Sequence, residues 1–191
     1  YSNLQLSKSN LDADAPLSVT LDVTNTGSVS GAEVVQLYVS HRSKQMFCPE
    51  QELKGFEKVW LQPGETKSVL FSLTRRDLCY YDVVAGDWRV EGGTYELRLA
   101  ASSRETRLRA EITAAPDANA HVPDLREIAP CYYDLSGGIN VPDRAFAALL
   151  GHEIPARERQ KGEKHTLNVT LSEVKHTLLG RLLAAVGRSV A

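Results

Sequence analysis

The chain has 191 residues, 42% of them hydrophobic, and a nearly neutral formal net charge of -2. This length can bury a real core, and it suits one domain with an appendage better than two full domains. No basic stripe marks a nucleic-acid surface, and no apolar run approaches the roughly 18 residues of a membrane span. We therefore expect a soluble protein that binds neither nucleic acid nor membranes.

The three cysteines, Cys48, Cys79 and Cys131, lack the close paired spacing of zinc sites and redox motifs. Reduced thiols are the simplest interpretation, and they favour a cytoplasmic location. The five histidines show neither HExxH nor close pairing, so we predict no metal and no cofactor. Tyr1 already lies in a strand-like run and is not Met, which is typical of a piece of a longer polypeptide.

From residue 1 to residue 112, short strands alternate with turns, and this pattern predicts an antiparallel β-sandwich. The second predicted strand alternates apolar and polar residues, so one of its faces should be solvated. The candidate strands cover residues 2–7, 17–25, 31–40, 52–61, 66–73, 88–90, 93–101 and 107–112.

The strongest local signal is the hairpin turn at Pro63 and Gly64. Pro63 presets φ for the second turn position, and Gly64 supplies the positive φ that a type II turn needs next. The following residues, 66–73, alternate with a period of two, which indicates a half-buried strand.

The segment from His41 to Gln51 is the longest loop predicted within the sandwich. It is polar except for Met46, Phe47 and Cys48, and an apolar tip on a loop commonly marks a contact. Together with Glu50, these three residues are our candidate contact site toward a substrate cleft or a neighbouring domain.

After residue 112 the composition changes. Residues 113–123 are rich in Ala, Pro, Asp and Asn, which predicts a linker. A short helix should follow, with Pro142 in its first turn and Gly151 at its end. Its predicted apolar face consists of Phe146, Leu149 and Leu150.

A second, longer helix is predicted near the C-terminus, where Thr170 to Glu173 offer a capping box. Apolar residues recur there at helical spacing, namely Leu171, Val174, Leu178 and Leu182. A lone amphipathic helix is marginal in water, so we predict that this stripe packs on the sandwich or on a partner. The predicted organisation is thus a sandwich over residues 1–112 and a helical extension over residues 113–191.

Asp77 and Asp82 are the most tempting catalytic pair, since two carboxylates about 5 to 10 Å apart can serve together in hydrolysis. The simpler interpretation is a turn-capping Asp77 and an Asp82 at a strand end. A Gly-x-Ser-x-Gly nucleophile elbow is absent from the sequence. We therefore predict that the chain carries no catalytic residues.

Five segments together form a family pattern. They are Asn25 to Gly27 with Gly31 to Val39, Glu52 to Thr66, Asp77 to Asp82, Trp88 to Tyr95, and Ala101 to Glu105. In this order they resemble the fibronectin type III-like domain near the C-terminus of glycoside hydrolase family 3 enzymes, the β-glucosidase and β-xylosidase family. The segments 146–151, 166–171 and 180–183 resemble an extension that some bacterial members carry.

The resemblance implies a fibronectin type III or immunoglobulin-like sandwich that serves a retaining β-glycosidase of carbohydrate metabolism. In that family the nucleophilic aspartate lies in an N-terminal barrel and the acid/base glutamate usually in the following α/β domain. No segment of this chain matches either motif. The implied role is a non-catalytic accessory domain, whose partners are the upstream catalytic domains, their carbohydrate substrate and, in a homo-oligomer, a second copy.

A different class of function is a stand-alone carbohydrate-binding or adhesion module. Sugar binders stack pyranose rings on exposed Trp or Tyr, but Tyr38, Trp88 and Tyr95 are expected to be partly buried in the sandwich. Trp60 and the Tyr132–Tyr133 pair have no predicted place in the core. A flat exposed platform formed by two of them would favour the binding module.

Overall fold

The computed structural model describes residues 1–12, 15–42, 45–83, 85–118, 120, 122, 124–134, 136–155, 177–178 and 180–181. The strands in this part of the chain are β1 (Ser2–Leu6), β2 (Leu17–Thr24), β3 (Gly31–His41), β4 (Glu52–Leu61), β5 (Thr66–Leu73), β6 (Cys79–Asp82), β7 (Asp87–Val90), β8 (Gly93–Ser102) and β9 (Glu105–Ala114). One α-helix, α1, covers Asp143–Leu150, and short 3₁₀ turns lie at Arg75–Leu78 and Pro130–Tyr132.

The strands form three antiparallel sheets. One sheet has the order β1-β2-β5, the second has the order β4-β3-β8-β9, and β6 pairs with β7 in a separate hairpin. Buried side chains from both larger sheets share one hydrophobic core. The predicted antiparallel sandwich is therefore confirmed.

Strand β2 shows why these residues form a sandwich. Its residues Leu17, Val19, Leu21 and Val23 are all buried, whereas the residues between them are partly exposed. A period of two places alternate side chains on opposite faces, so one face joins the core and the other meets solvent. The predicted solvated face is confirmed.

The turn between β4 and β5 has the predicted geometry, but the predicted hairpin is wrong, because β4 pairs with β3 in the larger sheet and β5 pairs with β2 in the smaller one. Gly64 has φ of 76°, and the backbone N–H of Glu65 donates to the carbonyl oxygen of Gln62 at 3.0 Å. The Gly64 N–H also donates to the carbonyl oxygen of Asn25 at 2.8 Å, which ties this turn to the end of β2. A turn i to i+3 bond with positive φ at the third position is the geometry of a type II turn.

The 3₁₀ turn at Arg75–Leu78 leads into β6, a strand absent from the predicted set of strands. Asp77 accepts hydrogen bonds from the backbone N–H and the hydroxyl of Thr74, at 2.7 and 2.8 Å. This is the capping role predicted for Asp77, and Asp82 is the last residue of β6, as predicted. A four-residue strand offers too short an alternation to be recognised from periodicity.

Helix α1 begins after Pro142, which occupies the N-cap, and ends at Gly151, whose φ is 79°. The prediction of its apolar face is wrong for Phe146, which is 44% exposed. Ala145 is the buried residue of the helix, and Leu149, one turn later, packs against the same small cluster as Leu125 and Ala129. Residues four apart share a helix face, so Ala145 and Leu149 turn inward together.

Residues 152–191 form a second compact unit, separate from residues 1–151. Leu178 is helical and 84% exposed, and the N–H of Arg181 donates to the carbonyl oxygen of Thr177 at 3.0 Å. The predicted capping box and the stripe residues Leu171, Val174 and Leu182 lie outside the described residues. No helix in the described part of the chain is long and apolar enough to cross a membrane.

Candidate contact site

The loop that follows β3 is anchored on a small group of buried side chains. The His41 ring stacks on Tyr95 with a centroid distance of 4.2 Å, and His41 Nδ1 lies 3.4 Å from Glu91 Oε2. Glu91 Oε1 accepts a hydrogen bond from the backbone N–H of Gln45 at 2.6 Å. Gln45 is therefore held directly by the sandwich.

Protonation of the buried groups supports this anchor. Burial raises the pKa of Tyr95, and the nearby Glu91 carboxylate raises it further. Tyr95 thus stays protonated and donates its hydroxyl hydrogen to the main-chain oxygen of Glu91. Burial likewise raises the pKa of Cys79, which keeps this thiol uncharged at neutral pH.

Two of the candidate contact residues, Met46 and Cys48, turn toward the sandwich. With Cys79 and Tyr95 they line a cavity of about 50 Å³. Ligand pockets are commonly of about 300 to 1,000 Å³, so this space is too small for a sugar substrate. Met46 and Cys48 therefore hold the loop on the side that faces the sandwich.

Phe47, at the tip of the loop, packs against the segment before α1. Its ring centroid lies 4.9 Å from that of Tyr132 and 5.9 Å from that of Tyr133. The Tyr133 hydroxyl donates to the carbonyl oxygen of Gln45 at 3.2 Å. Tyr132 and Tyr133 are half-buried in this arrangement, and they do not form an exposed platform with Trp60.

Glu50, the remaining candidate, joins a charged network on the outer face of the larger sheet. Its carboxylate accepts a hydrogen bond from Arg98 Nη2 at 3.1 Å, and its side chain is 76% exposed. At the centre of this network the buried carboxylate of Glu96 pairs with three arginines, Arg42, Arg98 and Arg109. A buried charge is tolerated when it is paired in this way, so the network fixes Arg98 and, through it, the end of the loop.

The two aspartates considered as a catalytic pair have structural roles. The Asp77 carboxylate caps the 3₁₀ turn, and Asp82 is only 2% exposed, with its Oδ1 accepting from the Ala85 N–H at 3.1 Å. Neither residue lines the larger cavity, of about 390 Å³, between Tyr1 and the residues after β2. Within the described residues, no group of three or more His, Cys, Asp or Glu side chains is arranged to hold a metal ion.

The burial of the aromatic side chains differs from the prediction at one position. Tyr38 and Tyr95 are buried as predicted, whereas Trp88 is 44% exposed, so its predicted place in the core is wrong. Trp88 lies on the β6–β7 hairpin, opposite Tyr81, with a centroid distance of 5.6 Å. Arg76 lies over the Trp88 ring, 4.0 Å from its centroid. A two-stranded hairpin has no second sheet over this face, which leaves the pair in contact with solvent.

A family model described as "Fibronectin type III-like domain" matches residues 33–103. The chain is 39% identical over 112 residues to thermostable β-glucosidase B of Acetivibrio thermocellus, covering 59% of this chain and 15% of that protein. It is 46% identical over 103 residues to probable β-glucosidase L of Emericella nidulans, covering 53% of this chain and 14% of that protein.

Solved structures agree with these relatives. β-Glucosidase 3B from Thermotoga neapolitana, in complex with α-D-glucose, matches 59% of this chain and 15% of its own, with a TM-score of 0.52 and 37% identity. The GH3 β-glucosidase of Bifidobacterium adolescentis matches 96% of this chain and 20% of its own, with a TM-score of 0.57 and 25% identity.

The chain spans only about 15% of the length of the first of these relatives. The residues matched by the family model lie within the sandwich, from β3 to β8. The chain therefore carries a fibronectin type III-like domain of the kind found in the β-glucosidases of glycoside hydrolase family 3.

Proposed function

We propose that the chain is a non-catalytic accessory domain of a retaining β-glycosidase and that it supports the catalytic domains of its parent polypeptide. The observation that carries this proposal is the partial match. The matched segment is about one seventh of each β-glucosidase, so most of the length of these enzymes lies outside it. Hydrolysis of terminal β-linked sugars by a retaining mechanism needs two carboxylates facing a cleft, and those belong to that remaining length.

We propose that the anchored loop, residues 45–50, is one part of this domain that meets the catalytic domains. Its base is held by Glu91 and its end by Arg98, so it presents a preformed shape. Phe47 remains 40% exposed, and the Glu50 side chain, three positions later in the sequence, is 76% exposed. A rigid scaffold that carries a loop with an apolar tip is a common way to complete a neighbouring site.

A chimera tests the accessory role. The 191-residue chain is fused to β-glucosidase B of Acetivibrio thermocellus from which the matching segment has been removed, and hydrolysis of an aryl β-glucoside is measured. We expect no turnover by the isolated chain, at most weak turnover by the truncated enzyme, and restored turnover by the chimera. Turnover by the purified chain alone that is lost in Asp77→Asn or Asp82→Asn would contradict the proposal.

The exposed Tyr81–Trp88 pair favours a second candidate function, a carbohydrate-binding module. Stacking of a sugar ring on an exposed indole changes its fluorescence, so titration of the isolated chain with β-linked gluco-oligosaccharides tests this candidate. Saturable quenching that is lost in Trp88→Ala but kept in Trp60→Ala would support a binding module. A flat titration at millimolar sugar would exclude it.

A further inference from the structure

The strand β4, at one edge of the larger sheet, carries an exposed apolar stripe. Leu53, Phe56 and Trp60 are 48%, 66% and 57% exposed. Phe56 and Trp60 point to the same face because their positions differ by an even number. A bulge between the Leu37–Gly55 and Tyr38–Leu53 pairs shifts the register by one residue, which brings Leu53 to that face too. We call these three residues the β4 stripe.

The other edge strand of the same sheet, β9, is built in the opposite way. Its exposed positions carry charges of both signs, namely Glu105, Arg107, Arg109 and Glu111. Exposed edge strands invite association, and natural sheets commonly protect them with charged side chains. Strand β9 has this protection, whereas the outward face of β4 presents large apolar groups with one cation, Lys58, between Phe56 and Trp60.

We propose that the β4 stripe is the docking surface of this domain for a catalytic domain of the parent β-glycosidase, an inference that rests on the proposed function. Several large exposed apolar side chains on one face of a strand indicate an interaction surface, and Trp is prominent among interface residues that contribute most to binding. The stripe lies on the outer face of the sheet, away from the core, so its residues are available to a partner.

The charges around the stripe define the chemistry of the partner. Lys58 lies within the stripe, and Lys67 reaches its end, where the ammonium group donates to the Trp60 carbonyl oxygen at 2.7 Å. Glu65 accompanies Lys67, with 3.4 Å between the charged atoms. The docking face of the catalytic domain is therefore an apolar patch with an acidic side chain placed opposite Lys58, since a buried or rim cation needs an opposite charge.

A second copy of this chain fits the stripe poorly. A two-fold axis that places Phe56 of one copy against Trp60 of the other would place Lys58 next to Lys58 of the other copy, because position 58 lies midway between positions 56 and 60. Like charges directly opposite each other across strands are destabilising. The charge arrangement thus favours a different partner with acidic character.

The test uses the chimera described above with the double variant Phe56→Ser/Trp60→Ser. Leu70→Ser is the matched control, because Leu70 is 65% exposed on the outer face of the smaller sheet. Both variants should leave the melting temperature of the isolated chain nearly unchanged. After heating, we expect the chimera with the stripe variant to retain at least tenfold less aryl β-glucosidase activity than the unmodified chimera. The chimera with Leu70→Ser should retain as much activity as the unmodified chimera.

The outcomes separate the two proposals. If the stripe variant retains full activity while the unmodified chimera is active, docking through β4 is wrong and the accessory role stands. If the unmodified chimera has no activity, the accessory role itself is contradicted. A charge reversal, Lys58→Glu, should also lower the aryl β-glucosidase activity of the chimera after heating. Unchanged activity in this variant would exclude the acidic partner.

Hydrogen exchange gives a measurement that does not depend on variants. We expect the peptide that contains β4 to exchange at least tenfold more slowly in the chimera than in the isolated chain, and the peptide that contains β9 to be unchanged. Equal exchange of β4 in both proteins would overturn the proposal. Dimerisation of the isolated chain in sedimentation, abolished by Phe56→Ser/Trp60→Ser, would assign the stripe to a second copy and overturn it as well.

Discussion

Two hydrophobic clusters in the part of the chain that the structure describes differ greatly in construction. The sandwich core joins fully buried leucines and valines from strands far apart in sequence, such as Leu21, Leu37 and Leu97. The second cluster has three buried residues, Leu125, Ala129 and Ala145, two of which are alanines. Since the stabilising free energy scales with buried apolar area, the sandwich can hold its own structure, whereas the second cluster depends on the surface it touches.

The largest effect on stability should come from creating a cavity in the sandwich core. Leu97 is completely buried, so Leu97→Ala should lower the free energy of unfolding by about 2 to 5 kcal/mol, measured by urea denaturation. Leu70→Ala, at a 65% exposed site, should change it by less than about 0.5 kcal/mol. Leu125→Ala in the second cluster should leave the main unfolding transition almost unchanged; a loss equal to that of Leu97→Ala would mean that the two clusters unfold as one unit.

A smaller effect within the sandwich concerns the turn at Gly64. A Cβ added there would meet no atom within 4 Å, so Gly64→Val tests the backbone conformation without a steric clash. A β-branched residue at φ of 76° should cost about 1 to 3 kcal/mol. Gln62→Ala is the control, because it removes only an exposed hydrogen bond with Ser30. Equal melting temperatures for the two variants would contradict the turn assignment.

The same contrast explains how much of the structure the sequence predicts. Period-two alternation predicts β5 with its observed bounds, because Val69, Phe71 and Leu73 on one face of this strand are buried in the core. The turn residues Pro63 and Gly64 predict the observed end of β4 at Leu61. The short strand β6 and the exposed position of Trp88 depend on which sheet lies opposite, and a single sequence does not contain that information. The same limit applies to Phe146, since the face of α1 that turns inward is decided by Leu125 and Ala129.

The contact site shows a similar division. The apolar tip of the loop predicts a contact, but the partners of Phe47 within the chain, Tyr132 and Tyr133, are about 85 residues away in sequence. The sequence does not predict the anchor at His41, Glu91 and Tyr95, because no sequence pattern links His41 to the other two residues. Glu91 and Tyr95 flank the start of β8, next to the end of β3, so strand pairing brings them to His41. The one sequence feature that points to a role for Glu91 is the position of this charged residue just before a strand.

The link between the two clusters can be weakened at Phe47. Phe47→Ala removes its contacts with Tyr132 and Tyr133, and aromatic pairs of this kind contribute about 0.5 to 1.5 kcal/mol each. We expect faster hydrogen exchange in residues 124–134 and unchanged exchange in β8. Phe56→Ala, at a 66% exposed aromatic, is the control and should change neither segment. Faster exchange in β8 would mean that the loop contributes to the sandwich core.

The smallest effect concerns Asp117, which fastens the chain after β9 to the sandwich. Its carboxylate accepts from Arg75 Nη2 at 2.7 Å and from the backbone N–H of Val90 at 2.8 Å. Burial acts to raise the pKa of Asp117, but these hydrogen bonds outweigh it and hold the pKa below the ordinary value of 3.8. An asparagine side chain has one oxygen in place of two, so Asp117→Asn leaves one of the two donors without its acceptor.

Because the pKa of Asp117 is lower in the folded state than in the unfolded state, its contribution to stability is complete above the unfolded-state value. That contribution is lost as the pH falls through the lower folded-state value. The site is partly solvated, so we expect Asp117→Asn to lower the free energy of unfolding by about 1 kcal/mol or less at pH 7, measured by urea denaturation. The difference from the unmodified chain should shrink below about pH 4 as the carboxylate becomes protonated. A difference that stays constant from pH 7 down to pH 2 would show that the effect does not come from the ionised carboxylate.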